Sequence, residues 1–359
     1  MKKRFAAVLT AGLAVSSLVG CQNNYSETTA SASEQIADNS SEAVLEETSK
    51  KVSEDLSGSI TLYTSQPEED IQVMIDGFNK KWPDIQVDVF RSGTEEVVSK
   101  VLAEKEAGDV LADVHLVADN VTFETLKEQD LLSAYESPEL EGIPEIYIDK
   151  DHMYVGTKVI TTGIVYNTEL TENIPAGFKD LTNEAYKDDL IMPSPLYSGA
   201  AAYNLGVLTR TEGLGWDYYQ TLKDNGVVVG KGNGSVQNAV VAGEQACGLL
   251  ADYMAIRSKN DGAPVEFVYP AEGSPAVTEP IGIVKGTDSE DLAKAFVDFV
   301  LSEEGQALTA EIGYTPIKSG VEVPEGFKRI DEITPLTWDT KELYQNREAD
   351  KEQFSQMFQ

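Results

Sequence analysis

Tyr154-Val-Gly-Thr-Lys-Val-Ile-Thr-Thr-Gly-Ile-Val-Tyr-Asn167 is strand-like throughout, with Gly156 and Gly163 as its only interruptions. β-Branched and aromatic residues dominate it, and no helical apolar spacing runs through it. The fold is decided by what stands on either side of this stretch, because an alternation of strands and helices precedes it and a second one follows it.

Upstream, Ile60–Tyr63 reads as a short strand. Pro67 fits the start of a helix, Glu68, Glu69 and Asp70 are the acids of its first turn, and Ile71, Met74, Ile75 and Phe78 recur at helical spacing. Ile85–Phe90 alternates as a strand. Ser92-Gly93-Thr94 then opens a helix with Val97, Val98, Val101 and Leu102 on one face. Ala112–Val117 is a third strand and Phe123–Gln129 a third helix. This order predicts a parallel sheet flanked by helices. Downstream, Leu190–Met192 reads as a strand, followed by a helix from Gly199 and another around Trp216–Lys223. Val227–Val229, Ala246–Ala251, Val265–Tyr269 and Pro280–Val284 read as strands, and Ser235–Ala242 as a helix. Ser289–Leu301 carries Leu292, Phe296, Phe299 and Val300 on one helical face, and Glu303–Ile312 continues helically.

The 359 residues suffice for two lobes with separate cores. The formal net charge of −33 argues against nucleic acid as a partner, because neutralising phosphates takes clustered Lys and Arg. The one such cluster is Lys2-Lys3-Arg4. It precedes the uncharged run Phe5–Gly20 and then Cys21, the layout of a secretory signal. That run is shorter than a membrane span of about 20 residues. Leu18-Val19-Gly20-Cys21 resembles the lipobox of bacterial lipoproteins. The resemblance implies a signal peptide over 1–20. Cys21 would then be the lipidated first residue of a mature chain anchored to the extracytoplasmic face of the cell membrane. Gln22–Ser57 is rich in Ser, Thr, Glu and Ala and lacks the apolar content to fold alone, so 21–57 reads as a lipidated, acidic tether.

Cys247 is the one cysteine after Cys21, so an internal disulfide and a Cys-based metal cluster are both excluded. It reads as a small buried apolar residue. His115 alternates within an apolar strand and His152 sits in a polar turn, so both read as structural or solvated. No Ser/His/Asp arrangement, nucleotide-cradling loop or Cys/His metal spacing is present. An enzyme is therefore not expected, nor a cofactor, nor a resident metal.

An α/β unit, the crossing Thr161-Thr-Gly-Ile-Val-Tyr-Asn167 and a second α/β unit follow one another in the chain. After them come the run Leu292-Ala-Lys-Ala-Phe-Val-Asp-Phe-Val-Leu-Ser-Glu-Glu-Gly-Gln306 and then Gly313-Tyr-Thr-Pro-Ile317. Together these resemble an extracellular solute-binding protein of a bacterial ABC importer, in the branch with ferric-iron, 2-aminoethylphosphonate and hexose-phosphate binders. The resemblance covers nearly all of Ser59–Ile317. It implies a periplasmic-binding-protein-like α/β fold, with two α/β lobes joined by a multi-strand hinge and the ligand cleft between them. A small-molecule ligand, an ABC permease and its ATPase are the implied partners, and the chain itself is expected to be a monomer. Crossings are expected near Thr161-Thr162, Pro280–Gly282 and Tyr314-Thr315. Lobe 1 is then 58–160 with 283–313, and lobe 2 is 161–282 with 314–359. The tail Trp338–Phe358 is expected to pack on the second lobe.

Thr64-Ser65, Ser92-Gly93-Thr94, Ser198-Gly199-Ala200 and Gly232-Asn-Gly-Ser235 each follow a strand and open a helix. Each offers a hydroxyl and free N–H groups where the helix dipole favours an anion. One such turn by itself is an ordinary cap. Several aimed at one cleft make an oxyanion site that needs neither Lys nor Arg. The candidate ligand-binding residues are therefore Thr64, Ser65, Ser92, Thr94, Ser198, Gly199, Ala200 and Ser235. Asp252 joins them to hold an ammonium group, with Tyr253 or Tyr197 as an aromatic wall, and Glu279 is a further carboxylate. A phosphonate zwitterion such as 2-aminoethylphosphonate and a sugar phosphate both fit this set. The alternative is ferric iron with Tyr253 as ligand, since relatives of that kind carry neighbouring tyrosines here. Met254 follows Tyr253 in this chain, and the adjacent Tyr218-Tyr219 reads as a helical pair with one ring packed and one exposed.

Overall fold

The computed structural model describes residues 56–358. The expected signal peptide, Cys21 and the expected tether up to residue 55 lie outside the described residues. The first part of the chain runs β1 (Gly58–Thr64), α1 (Glu68–Lys81), β2 (Ile85–Arg91), α2 (Thr94–Ala107), β3 (Val114–Leu116), α3 (Asn120–Glu128) and β4 (Leu132–Ser133). The long strand β5 (Val155–Asn167) leads to β6 (Leu190–Pro193), α4 (Gly199–Arg210), α5 (Gly215–Asp224), β7 (Val228–Gly230), α6 (Asn233–Val241) and β8 (Cys247–Ala251). Then come α7 (Asp252–Asn260), β9 (Val265–Val268), β10 (Ser274–Val284), α8 (Glu290–Leu301), α9 (Glu303–Glu311), β11 (Thr315–Pro316), β12 (Pro335–Leu336) and α10 (Thr340–Phe358).

The strands follow the order β2-β1-β3-β10-β5-β8-β6-β7. β2, β1 and β3 are mutually parallel, as are β8, β6 and β7. The two parallel halves are joined by antiparallel pairs, β3 with β10, β10 with β5 and β5 with β8. Residues of β5 up to Thr161 pair with β10, and those from Thr162 onward pair with β8. The chain thus has the two-lobed α/β fold, and β5 is shared between the lobes. All of β5 is buried, which explains its near-continuous apolar and threonine-rich composition.

Each lobe has its own core. In the first, Phe78 of α1 packs edge-on against Phe296 (5.2 Å between centroids) and Phe299 of α8. In the second, Phe178, Leu205, Leu208, Tyr219 and Leu222 belong to one buried apolar cluster with Phe354 of α10. Cys247 is fully buried there, and burial pushes its thiol up to about 11.

Several expectations are corrected. β8 ends at Ala251, where the sequence places it, but Asp252 directly begins a helix that the sequence pattern does not announce. β10 starts at Ser274 rather than Pro280, because its first half pairs with β5. Tyr218 and Tyr219 are both buried, with rings 5.3 Å apart in an edge contact. The C-terminal tail is one helix that packs against α3 of the first lobe as well as α4 and α5 of the second. No helix among the described residues is long and apolar enough to cross a membrane.

His115 in β3 is fully buried, neither ring nitrogen has a hydrogen-bond partner, and burial lowers its pKa to about 4. The folded state therefore resists protonating it while the unfolded chain does not. Its contribution to stability is intact above pH ~6.5 and is lost as the pH falls toward ~4, in total on the order of 3 kcal/mol. His115→Leu, which sacrifices no hydrogen bond, should flatten the stability decline in that window. Urea unfolding at pH 7 and pH 4.5 checks this.

Candidate functional site

Between the lobes lies a cavity of about 340 Å³. It sits at the carboxyl ends of the parallel strands of both halves, where helix N-termini point in folds of this kind. Ser65 follows β1, Arg91 ends β2 and Ala118 follows β3 closely. On the other side Tyr197–Ala200 lie beyond β6, Lys231–Ser235 follow β7, and Ala251 ends β8. All of these residues line the cavity.

The lining is rich in hydrogen-bond donors. Gly199 and Ala200 are the first residues of α4, and Asn233 and Gly234 the first of α6, so their N–H groups have no intrahelical acceptor. Ser198 caps α4, its hydroxyl accepting from the Ala201 N–H at 3.3 Å and from Asn233 Nδ2 at 3.4 Å. It is both the helix cap and a part of the wall. Two cations border the space. Arg91 donates Nε–H to the Gln66 carbonyl (2.9 Å), which leaves its outer N–H groups for a ligand. Lys231, 65% exposed, lies 4.3 Å from the Tyr197 ring centroid and 3.4 Å from Glu96 of the opposite lobe.

Glu279 forms part of the floor. The β5–β10 register shifts between Thr278 and Pro280, so that Thr157 and Lys158 both stand opposite Glu279. Thr157 Oγ1 donates to the Glu279 carbonyl (2.6 Å), and Lys158 Nζ lies 2.5 Å from its carboxylate. The other carboxylate oxygen accepts from Ser65 Oγ at 3.0 Å. Lys158 and Glu279 are both buried, so this is a compensated buried pair.

The lobes meet closely at the cavity wall. The Glu95 N–H donates to the Tyr197 carbonyl (3.3 Å) across the cleft. A Cβ on Gly93 would lie 2.6 Å from the Tyr197 carbonyl oxygen, and one on Gly199 would lie 2.4 Å from that of Ala118. Both glycines permit a backbone approach that any side chain would block.

Of the residues singled out from sequence, Ser65, Thr94, Ser198, Gly199, Ala200, Ser235 and Tyr253 come together here. Three do not line the cavity. Thr64 is fully buried and its Oγ1 accepts from the Gln66 N–H. Ser92 turns to Glu96. Asp252 is buried at the lobe junction, where Oδ1 accepts from Thr161 N (3.2 Å) and Tyr253 N (2.8 Å). Burial pushes Asp252 up to about 7 against the pull of those N–H groups. The Tyr253 ring lies 4.4 Å from the Tyr314 ring at a tilt of 40° and beneath Arg257, and burial raises its phenol. Arg91 and Lys231 went unnoticed in the sequence, although each immediately precedes a predicted cavity turn.

Residues 73–334 match the family described as bacterial extracellular solute-binding protein, and the chain belongs to that family. It is a solute-binding protein, not an enzyme. A Haemophilus influenzae relative named only as an uncharacterised protein is 28% identical over 269 residues, 71% of this chain and 76% of its own. A Salmonella typhimurium relative named as a putative 2-aminoethylphosphonate-binding periplasmic protein is 26% identical over 264 residues, 70% of this chain and 74% of its own. Among solved structures, the Actinobacillus pleuropneumoniae periplasmic binding protein AfuA, described with exogenous fructose-6-phosphate bound, superposes with a TM-score of 0.78. It is 24% identical, with 84% of this chain and 99% of that one covered. Iron-bound HitA from Pseudomonas aeruginosa gives 0.72 at 21% identity, covering 82% and 98%. At these identities the two structures establish the fold alone.

Gly199→Ala tests the close approach. Alanine is the better helix former, so melting should not suffer. The 2.4 Å clash with a backbone oxygen should disfavour the closed arrangement by about 1–3 kcal/mol. Small-angle scattering should show a larger radius of gyration than for the unaltered chain.

Proposed function

We propose that this chain, as the substrate-binding protein of an ABC importer, captures a small anionic solute bearing a phosphonyl or phosphoryl group and delivers it to a membrane permease. One observation carries the reading. The unsatisfied N–H groups at the starts of α4 and α6, Thr94 at the start of α2, and the side chains of Arg91 and Lys231 all border one cavity. Preorganised N–H dipoles and a guanidinium fork suit a tetrahedral oxyanion. An organophosphonate of the 2-aminoethylphosphonate kind and a sugar phosphate are the two candidate solutes. Glu279, already held by Lys158 and Ser65, is the acceptor available to the solute's polar end.

Ferric iron is the less favoured cargo. It takes several hard anionic oxygens. In this cavity the Tyr253 phenol lies under Arg257, and the lining carboxylate is engaged by Lys158.

In this proposal lobe 1 is 58–160 with 283–313 and lobe 2 is 161–282 with 314–359, with α10 in contact with both. Lipidation of Cys21, with residues 21–57 as tether, would hold a monomeric binder beside its permease on the extracytoplasmic face.

Calorimetry and thermal shift with 2-aminoethylphosphonate, fructose 6-phosphate and inorganic phosphate test the proposal. We expect at least one to bind, and at 100 times its Kd to add about 2.7 kcal/mol of stability. Arg91→Ala should weaken that binding by roughly tenfold or more, as fits a charged hydrogen bond worth about 1.5–3 kcal/mol. Ser198→Asp, which sets a carboxylate against the anion, should abolish it. No heat and no shift with any of the three would refute the anion reading.

A further inference from the structure

Helix α10 lies beyond the residues that match the family and outside the cavity, yet it grips the elements that form both cavity walls. Its attachment to the second lobe is largely apolar. Phe354 sits in that lobe's core, with its ring 6.2 Å from Tyr219, and Leu343 lies over Gly206 of α4. Asp350 Oδ2 adds an ion pair with Arg210 Nη1 at 2.7 Å, at the far end of the helix that begins with Gly199 and Ala200.

Its attachment to the first lobe is mainly a hydrogen-bonded ion cluster, beside which Asn120 Nδ2 of α3 donates to Thr340 Oγ1 at 3.2 Å and Leu343 shares a buried apolar cluster with Val121. Arg347 Nη1 donates to both Asp119 oxygens at 3.2 and 3.1 Å. Its Nη2 donates to Glu95 Oε1 at 2.7 Å and to Thr122 Oγ1 at 3.2 Å. Lys351 Nζ reaches the other Glu95 oxygen at 2.7 Å. Asp119 is fully buried and Arg347 is 8% exposed. The cluster pairs two cations with two carboxylates, and each carboxylate is next to a cavity residue. Glu95 follows Thr94, and Asp119 follows Ala118 while capping α3 through the Thr122 N–H.

The two attachments differ in what separation would cost. Parting the apolar face would expose core side chains to water. Parting the ion cluster would return charged groups to water, which solvates each of them well. The helix should therefore travel with the second lobe, and the ion cluster should be the contact that is made and broken.

We propose that Arg347 is a closure latch, a positioning residue on α10 that docks between Glu95 and Asp119 when the lobes close and so holds the Thr94 and Ala118 turns against the solute. The inference rests on the reading that the lobes close around a bound solute.

The test places spin labels on the exposed positions Asp88→Cys of the first lobe and Asp224→Cys of the second, in the unaltered background and with Arg347→Met. Inter-label distances are measured with and without 2-aminoethylphosphonate and fructose 6-phosphate. A latch predicts that Arg347→Met shifts the distribution toward longer distances in at least one of these conditions. It also predicts that any solute bound by the unaltered chain dissociates about tenfold faster from the variant, within the usual range of coupling between a remote group and a site. Should Arg347→Met fail to fold, Glu95→Gln, which keeps the Arg347–Asp119 pair, should show a smaller shift of the same sign. Identical distributions in every condition overturn the latch, and so does a lowered melting temperature with unchanged distances. If neither solute binds the unaltered chain, the solute reading fails alone, since the solute-free distances still decide the latch.

Discussion

The antiparallel pairing of β5 with β10 is the constraint on which the rest of the structure depends. Each parallel half can build only one wall of a site, because its strands all deliver their loops to a single edge. One continuous strand, changing partner between Thr161 and Thr162, ties the two halves together and brings those edges to a common cavity. The same pairing builds the cavity floor. Its bulge sets Thr157 and Lys158 opposite Glu279, next to Pro280, which has no N–H to offer a ladder. A buried carboxylate and its compensating ammonium thus come from the two strands that join the lobes.

Electrostatics at the site run against the charge of the whole. A chain with a formal charge of −33 lines its cavity with helix N-termini, Arg91 and Lys231. The two facts are compatible because exposed charges are screened within about 8–10 Å at physiological ionic strength. Donors in contact with a ligand act at hydrogen-bond distance and are not screened in this way. The acidic exterior bears on how fast an anion arrives, and the local donors on how long it stays.

Much of the site was legible in the sequence. A hydroxyl or glycine between a strand and a helical run marks a turn with free N–H groups, and Ser198–Ala200, Ser235, Thr94 and Ser65 all line the cavity. The three candidates that do not line the cavity share one cause, which is that a side chain's direction is set by whichever partner lies nearest in space. Ser92 found Glu96, Thr64 found the Gln66 N–H, and Asp252 found two backbone N–H groups at the lobe junction. Arg91 and Lys231 carry no local signal beyond their place where a parallel strand gives way to its loop.

The sequence by itself determined most of the order of strands and helices, though not α7, together with the acid-rich start of α1 and the shared extended strand, because these follow from local periodicity and backbone preference. Only the tertiary structure decided which helix starts converge, that Lys158 neutralises Glu279, and that α10 spans both lobes through Arg347. Those outcomes depend on groups far apart in the chain being packed together. Burial then obliges each charge to find a partner, and no local pattern specifies which one.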